Sequence, residues 1–482
     1  MSLDARPVPG HQPYRDAEDG GHAAIFGTAL RATTSGILIL ITLIAFEAMA
    51  VAAALPTAAR DLHGVGAYGW AFTGFLVANV VAMVISGQVS DSHGPRLPLV
   101  VGMLAFVAGL TVSGSAVTMA QLVGGRAVQG FGSGLLITAV YVVIGETYPE
   151  AVRPKLFAAL SSAWVLPSLL GPLIAGALAQ HASWRWVFLG LLPFVVLGGV
   201  LMSPVLRTLN SRPFHARGSG RVRSLADPRR ILRALAVAAG IAGLEQAGQH
   251  PSATSVVLAV AGLGALVWGL RTLLPDGTLR VRRGVPAPVA MRGLLAGAFF
   301  GIESVVPLSL TVQHGFSATA AGLPLACAGL CWALGSWFQG RRRNDVGADE
   351  QNRRVRLVRG GFLLLAVSAA AVALSVQPSA PGWMIYPAWG LAGIGAGLTM
   401  TSVSVLLLKY TNDADRGADS AALQLCDATG SAMTTGIAGV LVAAAARGAL
   451  GYTTAFTSFA IAMGVVAGLG VAVSGQVRAP ST

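Results

Sequence analysis

Fourteen apolar stretches follow one another along this chain, and they constrain its fold more than any other feature of the 482 residues. Each is close to the roughly 20 residues that a helix needs to cross the hydrocarbon core of a bilayer. Only 11% of the residues are charged, whereas soluble domains average about a quarter. The sequence therefore predicts an all-α polytopic membrane protein with 14 transmembrane helices, at residues 36–56, 69–90, 98–118, 122–145, 157–179, 184–205, 233–250, 253–274, 289–311, 317–338, 360–376, 384–408, 420–445 and 452–475.

The basic residues alternate between the two sides of the predicted membrane. If the N-terminus lies in the cytoplasm, 29 of the 33 Lys and Arg residues fall in cytoplasmic segments or at the cytoplasmic ends of the adjoining spans, as the positive-inside rule requires. We therefore expect a multi-pass protein of the cell's inner (plasma) membrane with both termini in the cytoplasm. The net charge of +13 follows alternate loops instead of forming one basic face, so no nucleic-acid partner is predicted.

The middle of the chain, residues 233–274, is predicted to hold two inserted helices. The flanking loops 206–232 and 275–288 are both rich in arginine, so the segment between them crosses the membrane twice or not at all. A re-entrant hairpin remains open, but two crossings are the preferred interpretation. The regions 54–88 and 306–341 share a pattern of two apolar spans around a short polar loop, which indicates an internal duplication.

The duplication and the loops together predict a domain organisation in which two pseudo-symmetric bundles flank the insert. Its parts are a disordered cytoplasmic tail (1–35), an N-terminal six-helix bundle (36–205), a basic cytoplasmic loop (206–232), the two inserted helices (233–274), a second cytoplasmic loop (275–288), a C-terminal six-helix bundle (289–475) and a cytoplasmic tail (476–482). The polar start of the chain, which mixes acidic residues and prolines with its bases, does not have the pattern of a signal peptide.

No pattern in the sequence indicates an enzyme, a cofactor site or a metal site. A glycine-rich phosphate loop with its lysine, which ATP-driven transport would need, is missing from the sequence. Cys327, Cys331 and Cys426 lie in apolar stretches, where small packing residues are the simplest interpretation.

Five motifs occur in order along the apolar stretches and carry a family resemblance. They are GQVSDSHGPR at 87–96, GGRAVQGFG at 124–132, GPLIAG at 171–176, SWRWVF at 183–188, and Glu47 followed by ALP at 54–56 and DL at 61–62. Together they resemble the major facilitator superfamily, in particular its fourteen-span drug:proton antiporter branch. Glu47 stands where that branch usually has Asp, Ser92 and Pro95 replace basic residues of the first motif, and the second half has no clear copy of it.

The resemblance implies roles for two of these motifs. The first motif would form a latch that holds the cytoplasmic gate shut, although a solvated turn would also explain its charges. The glycines and proline of the third motif would mark an antiporter, although close helix packing would explain them equally well. The residues concerned are Gly87, Asp91, Gly94 and Arg96 in the gating motif, and Gly171, Pro172 and Gly176 in the antiporter motif.

Ionisable residues inside the spans are the sharpest candidates for function, because a charge in hydrocarbon is costly and usually marks a paired or functional group. Glu47 is the first choice for the proton-coupling carboxylate, and a neutral, hydrogen-bonded Glu47 is the alternative. Arg126 needs a carboxylate or a water-filled cavity, and Glu47 is a plausible partner. Glu303 is the second choice, Asp427 either faces substrate or bonds a neighbouring helix, and Glu245 is expected to be structural or lipid-exposed.

Three functional hypotheses follow from these expectations. The first is a proton-driven exporter of small amphipathic or cationic compounds. Its partners would be the bilayer, protons and a small-molecule substrate. It would use no cofactor and would work as a monomer. The second is an exporter or flippase of an endogenous lipid or secondary metabolite. A receptor or scaffold is disfavoured, because such a protein would not need paired bundles with buried carboxylates.

Overall fold

The computed structural model describes residues 25–27, 30–148, 152–210, 228–249, 253–340, 348–411 and 416–478, and within them the chain forms helices and no strand. Fourteen of the α-helices are long, and α6 is a single turn. The helices are α1 Arg31–Asp61, α2 Tyr68–His93, α3 Arg96–Gly114, α4 Met119–Thr147, α5 Arg153–His181, α6 Trp186–Leu189, α7 Leu192–Asn210, α8 Pro228–Gln249, α9 Ala253–Leu273, α10 Pro286–Gln313, α11 Ala318–Gly340, α12 Ala348–Ser375, α13 Ile385–Tyr410, α14 Arg416–Ala446 and α15 Tyr452–Val473.

The fold class predicted from the sequence is confirmed. Among the described residues, 13 segments are long and apolar enough to cross a membrane by length and composition. The remaining long helix, α5, has 29 residues and packs against α1 and α11. The fourteen predicted spans therefore correspond one to one with the fourteen long helices, and the two halves of the predicted insert are α8 and α9.

The helices extend further than the apolar stretches predict. Helix α1 begins at Arg31, and the buried Thr34 donates a hydrogen bond to the carbonyl oxygen of Ile25 at 2.5 Å. The prediction of a disordered tail over 1–35 is therefore wrong for residues 25–27 and 30–35, whereas residues 1–24 lie outside the described part. Helix α12 likewise begins at Ala348, well before the predicted span 360–376. Hydropathy detects the part of a helix that lipid covers, and a helix can continue into the polar region beyond it.

Local sequence signals explain several helix ends. Helix α2 ends where Gly94 adopts a φ of 80°, a left-handed conformation that glycine takes without strain. Pro95 then precedes the first turn of α3. Thr118 caps α4 by accepting a hydrogen bond from the backbone N–H of Gln121 at 3.2 Å, while the Gln121 side chain accepts one from the N–H of Val117 at 3.1 Å. This reciprocal arrangement is close to a capping box.

The helices pack as two groups with a pair between them. Helix α4 packs against α2 and α3, while α1 packs against α5 and α7, and these form the N-terminal group. In the C-terminal group, α10 packs against α14 and α15, and α13 packs against α11 and α12. Helix α8 packs against α2, α14 and α9. We call the end of the molecule that carries the connections 62–67, 115–118 and 314–317 the outer end, because the arginine distribution predicts it to be external, and the opposite end the inner end.

Two seams join the groups, one between α5 and α11 and one between α2 and α14. A Cβ placed on Gly322 of α11 would lie 2.8 Å from the carbonyl oxygen of Pro172, and one on Gly176 of α5 would lie 2.7 Å from the Cα of Thr319. At the outer end Thr319 donates a hydrogen bond to the Gln180 side chain at 2.9 Å. Glycines thus allow the two backbones to touch, and the described outer ends are closed against each other.

Candidate functional site

The site begins with Glu47, which lies near the middle of α1 and is completely buried. Its carboxylate forms an ion pair with Arg126 of α4, whose side chain is 3% exposed. The second carboxylate oxygen of Glu47 has no hydrogen-bond partner among the described residues. The partnership of Glu47 with Arg126 that the sequence made plausible is therefore present inside the N-terminal group.

Arg126 also connects this pair to α2. Its Nε donates a hydrogen bond to the carbonyl oxygen of Ala71 at 3.1 Å, and its guanidinium lies 4.3 Å from the ring centre of Phe75. A further N–H donates to the side-chain oxygen of the buried Gln129 at 3.1 Å. Arginine does not lose its proton in proteins, so these contacts stabilise a permanent charge.

The antiporter motif packs against the turn of α1 that carries Glu47. A Cβ on Gly171 would lie 3.4 Å from the Cβ of Met49 and 3.5 Å from the carbonyl oxygen of Phe46, on the turn of α1 that carries Glu47. Pro172 and Gly176 instead face α11 across the seam. The motif therefore contacts both the turn of α1 that carries Glu47 and the opposite group of helices.

A second ion pair, between a buried arginine and a partly buried aspartate, lies in the C-terminal group. Asp427 of α14 accepts a hydrogen bond from the Nε of Arg292 of α10 at 2.6 Å, and the side chain of Arg292 is 7% exposed. Ser404 of α13 lies 3.5 Å from another nitrogen of the same guanidinium. The sequence analysis identified Asp427 but missed Arg292, because an arginine close to the start of an apolar stretch looks like a loop residue.

Glu303 lies on α10 and is 6% exposed, one turn after a cluster of aromatic rings. The ring of Phe299 lies 4.9 Å from that of Trp389 and 5.2 Å from that of Trp332, and Phe300 lies 6.3 Å from Trp332. Glu303 is not the carboxylate paired with either buried arginine, since Arg126 pairs with Glu47 and Arg292 with Asp427. It therefore forms a separate carboxylate beside an aromatic surface.

The gating motif forms the inner connection between α2 and α3, as its position in the sequence predicts. Gly94 needs its positive φ there, whereas a Cβ on Gly87 would meet no atom within 4 Å. Arg96 is exposed at the start of α3. The side chain of Asp91 lies outside the described atoms, so its pairing with Arg96 stays a prediction.

The fourth motif closes the outer end of the N-terminal group. The indole Nε1 of Trp184 donates a hydrogen bond to Asp61 at 3.0 Å, and the guanidinium of Arg185 lies 4.5 Å from the Trp184 ring centre. Arg185 also donates to the carbonyl oxygen of Ala116 at 2.9 Å. The fourth motif thus contacts the end of α1 and the connection between α3 and α4 at the outer end of the group.

Glu245 of α8 is 2% exposed, so the expectation that it faces lipid is wrong. It lies where α8 packs against α2 and α14, and the alternative expectation of a structural role remains open. The physical reason is that α8 docks on the seam between the two groups, which hydropathy cannot indicate. Trp268 of α9, in contrast, is 49% exposed on the outside of the insert.

Relatives and solved structures agree with this architecture. An efflux transporter named aclA from Aspergillus oryzae is 33% identical over 46% of this chain and 40% of its own length. The "Acurin A biosynthesis cluster MFS-type transporter" of Aspergillus aculeatus is 26% identical over 74% of this chain and 65% of its own length. "Multidrug resistance protein 3" of Bacillus subtilis is 32% identical over 33% of this chain and 32% of its own length. The chain thus spans less than two thirds of each of these relatives.

A solved structure of a POT family transporter in complex with 5-aminolevulinic acid superposes with a TM-score of 0.65, covering 92% of this chain and 96% of that one. At 14% sequence identity, this likeness shows the fold alone. The sequence model of the Major Facilitator Superfamily matches residues 37–435, which run from α1 through the pair of helices between the groups to the middle of α14. The relatives matched by sequence are transporters and not enzymes. This multi-pass membrane protein therefore belongs to the Major Facilitator Superfamily.

Proposed function

We propose that this protein is a proton-coupled antiporter that exports small amphipathic or cationic compounds. The observation that carries the proposal is the buried Glu47–Arg126 pair, which lies in the middle of a membrane-spanning helix and is bonded to α2. Charged residues at such positions are costly and usually functional. A carboxylate becomes neutral when it binds a proton, whereas its arginine partner stays charged.

Proton binding to Glu47 would break the ion pair without leaving Arg126 unsupported. The guanidinium keeps its hydrogen bonds to Ala71 and Gln129 and its contact with the Phe75 ring. The pair can therefore open at a smaller cost than an isolated buried ion pair, whose loss costs about 3–5 kcal/mol. Because Ala71 belongs to α2, a movement of Arg126 would act on the helix that forms one seam between the groups.

The substrate class follows from the aromatic cluster beside Glu303. Trp332 and Phe300 are partly exposed, and aromatic faces attract cations by about 0.5–2 kcal/mol. A carboxylate one turn away would add electrostatic attraction for a cationic compound. The names of two relatives, an efflux transporter and a multidrug resistance protein, support export of such compounds.

The remaining parts of the proposal follow from the sequence. The distribution of arginines supports insertion in the plasma membrane with both termini in the cytoplasm. The bundles at 36–205 and 289–475 would alternate around a central cavity, and the gating motif at 87–96 would latch the cytoplasmic side. One chain contains both groups of helices, so a monomer suffices.

Purified protein in vesicles with an imposed pH gradient tests the coupling. We expect the native protein to move a lipophilic cation such as ethidium only when the gradient is present. Glu47→Gln, which keeps the shape but removes the charge change, should abolish gradient-driven flux while the protein remains folded. Undiminished flux in that variant would transfer the role to Glu303 or Asp427, and gradient-independent flux in the native protein would refute antiport.

Export of an endogenous lipid or secondary metabolite is the second candidate, because the Aspergillus aculeatus relative is named for a biosynthesis cluster. A thermal-shift screen in detergent separates the two substrate classes. Under the main proposal, cationic dyes should raise the melting temperature more than phospholipids or neutral polyketides do. The reverse order would favour the second candidate.

A further inference from the structure

The insert is not a peripheral addition, because its first helix contacts both groups. Toward the inner end of α8, Ala234 and Ala238 pack in a cluster with Val81 of α2. Toward the outer end, Gly248 lies against Val440 of α14, close enough that a Cβ would be 2.5 Å from a Val440 methyl. Helix α8 therefore follows α2 along much of its length and reaches α14 near the outer end.

Glu245 fills a notch that depends on two facing glycines, with a third glycine beside it. A Cβ on Gly69 of α2 would lie 2.9 Å from Oε1 of Glu245, and so would a Cβ on Gly439 of α14. One turn away, a Cβ on Gly436 would lie 3.6 Å from Oε2. The carboxylate thus lies in contact with two helices that belong to opposite groups, at the point where their backbones approach each other.

The segment of α2 beside this notch is the one bonded to the proposed proton site. Ala71 accepts the hydrogen bond from Arg126, and the Tyr68 hydroxyl donates to the carbonyl oxygen of Ser304 on α10 at 2.7 Å. Thr73 is completely buried in the same segment, and its hydroxyl has no hydrogen-bond partner among the described residues. One and a half turns of α2 therefore contact Arg126, the C-terminal group and Glu245.

We infer that Glu245 is a positioning residue of the outer gate, and that the inserted helices stabilise the state in which this gate is closed. The notch exists only while α2 and α14 are together, since residues of both form its walls. When the groups separate at the outer end, α8 stays on α2 and Glu245 loses its contact with α14. The inference rests on the proposed transport function only in assuming that the two groups alternate.

Distances between spin labels test the inference without substrate or proton gradient. Gly66, whose Cβ would meet no atom within 4 Å, and the exposed Ala446 at the outer end of α14 are the positions for the labels. Glu245→Ala removes the side chain that fills the notch, and we expect it to lower the ratio of short to long distances about tenfold, which corresponds to about 1.4 kcal/mol. Glu245→Gln keeps the shape and should leave the native distribution.

Two further variants keep the test decisive. Glu245→Asp is too short to fill the notch and should shift the distances in the same direction as alanine, even if the alanine variant does not fold. Gln246→Ala, at an exposed position on the same helix, is the matched control and should change nothing. A native distribution in both the alanine and aspartate variants would overturn the inference, as would a shift in the glutamine variant. Failure of gradient-driven flux would refute the proposed antiport but leave these distances unaffected.

Discussion

Two glycines of one motif on α5 should respond very differently to the same substitution. A Cβ on Gly176 would lie 2.7 Å from the Cα of Thr319 and 2.8 Å from the carbonyl oxygen of Ala318, both backbone atoms of the opposite group. A Cβ on Gly171 would instead lie 3.4 Å from the Met49 side chain within its own group, which is an ordinary contact. Only Gly176→Ala should therefore force α5 and α11 apart.

The size of the effect follows from these distances. Overpacking that moves a backbone costs about 1–3 kcal/mol, and here the cost falls only on the state in which the outer seam is closed. The equilibrium between closed and open outer ends should shift about 5- to 150-fold toward the open state, the range that such energies give. Both variants gain the same helix propensity from alanine, so Gly171→Ala controls for it.

Spin labels on Gly66 and Ala446, at the outer ends of the opposite groups, report this equilibrium. Gly176→Ala should lengthen the main distance, whereas Gly171→Ala should retain the native distribution. If both variants lengthened the distance between the labels, or if neither did, the argument that these two glycines pack against different groups would be refuted.

Three other expectations can be checked separately. Asp91→Asn and Arg96→Ala should each impair export with little loss of folded protein, because a latch acts on the balance between two states; normal export by both would leave the motif without a gating role. A single cysteine at residue 251 should react with an impermeant thiol reagent in intact cells and one at residue 280 should not; reaction at 280 from outside would overturn the fourteen-span topology. Arg292→Met should lower the melting temperature, because it leaves Asp427 inside the C-terminal group without its 2.6 Å partner, and an unchanged melting temperature would show that this pair contributes nothing to stability.

The sequence predicted the number and order of the helices well, because crossing a membrane imposes a length and an apolar composition that each segment shows by itself. It also selected Glu47 and Arg126, since a charge in hydrocarbon is rare enough to notice, and it made them plausible partners because both lie in the N-terminal bundle. That the two form a pair, and that Arg126 also bonds to Ala71, depends on how α1, α2 and α4 pack. No periodicity within one helix contains that information.

The errors have the same origin. Arg292 was missed because its position near the start of a span resembles a loop, and only the packing of α10 against α14 shows that it is buried. Glu245 was expected to be structural or lipid-exposed because it lies on the insert, and the structure contradicts the second of these. Its burial depends on where the insert docks, which is a property of the assembled helices and not of the segment.

The glycine seams also limit how this protein can evolve. At Gly176 and Gly322 every other amino acid adds an atom at a place already occupied by the backbone of the opposite group. If the protein exports compounds as proposed, mutations that change its substrate range should accumulate at other positions, such as Phe300 and Trp332, where side chains are partly exposed and can be exchanged. Selection under a toxic compound should leave the glycines of the seams unchanged while the residues of the aromatic surface diversify. The same conformational cycle would then act on compounds of many chemical kinds.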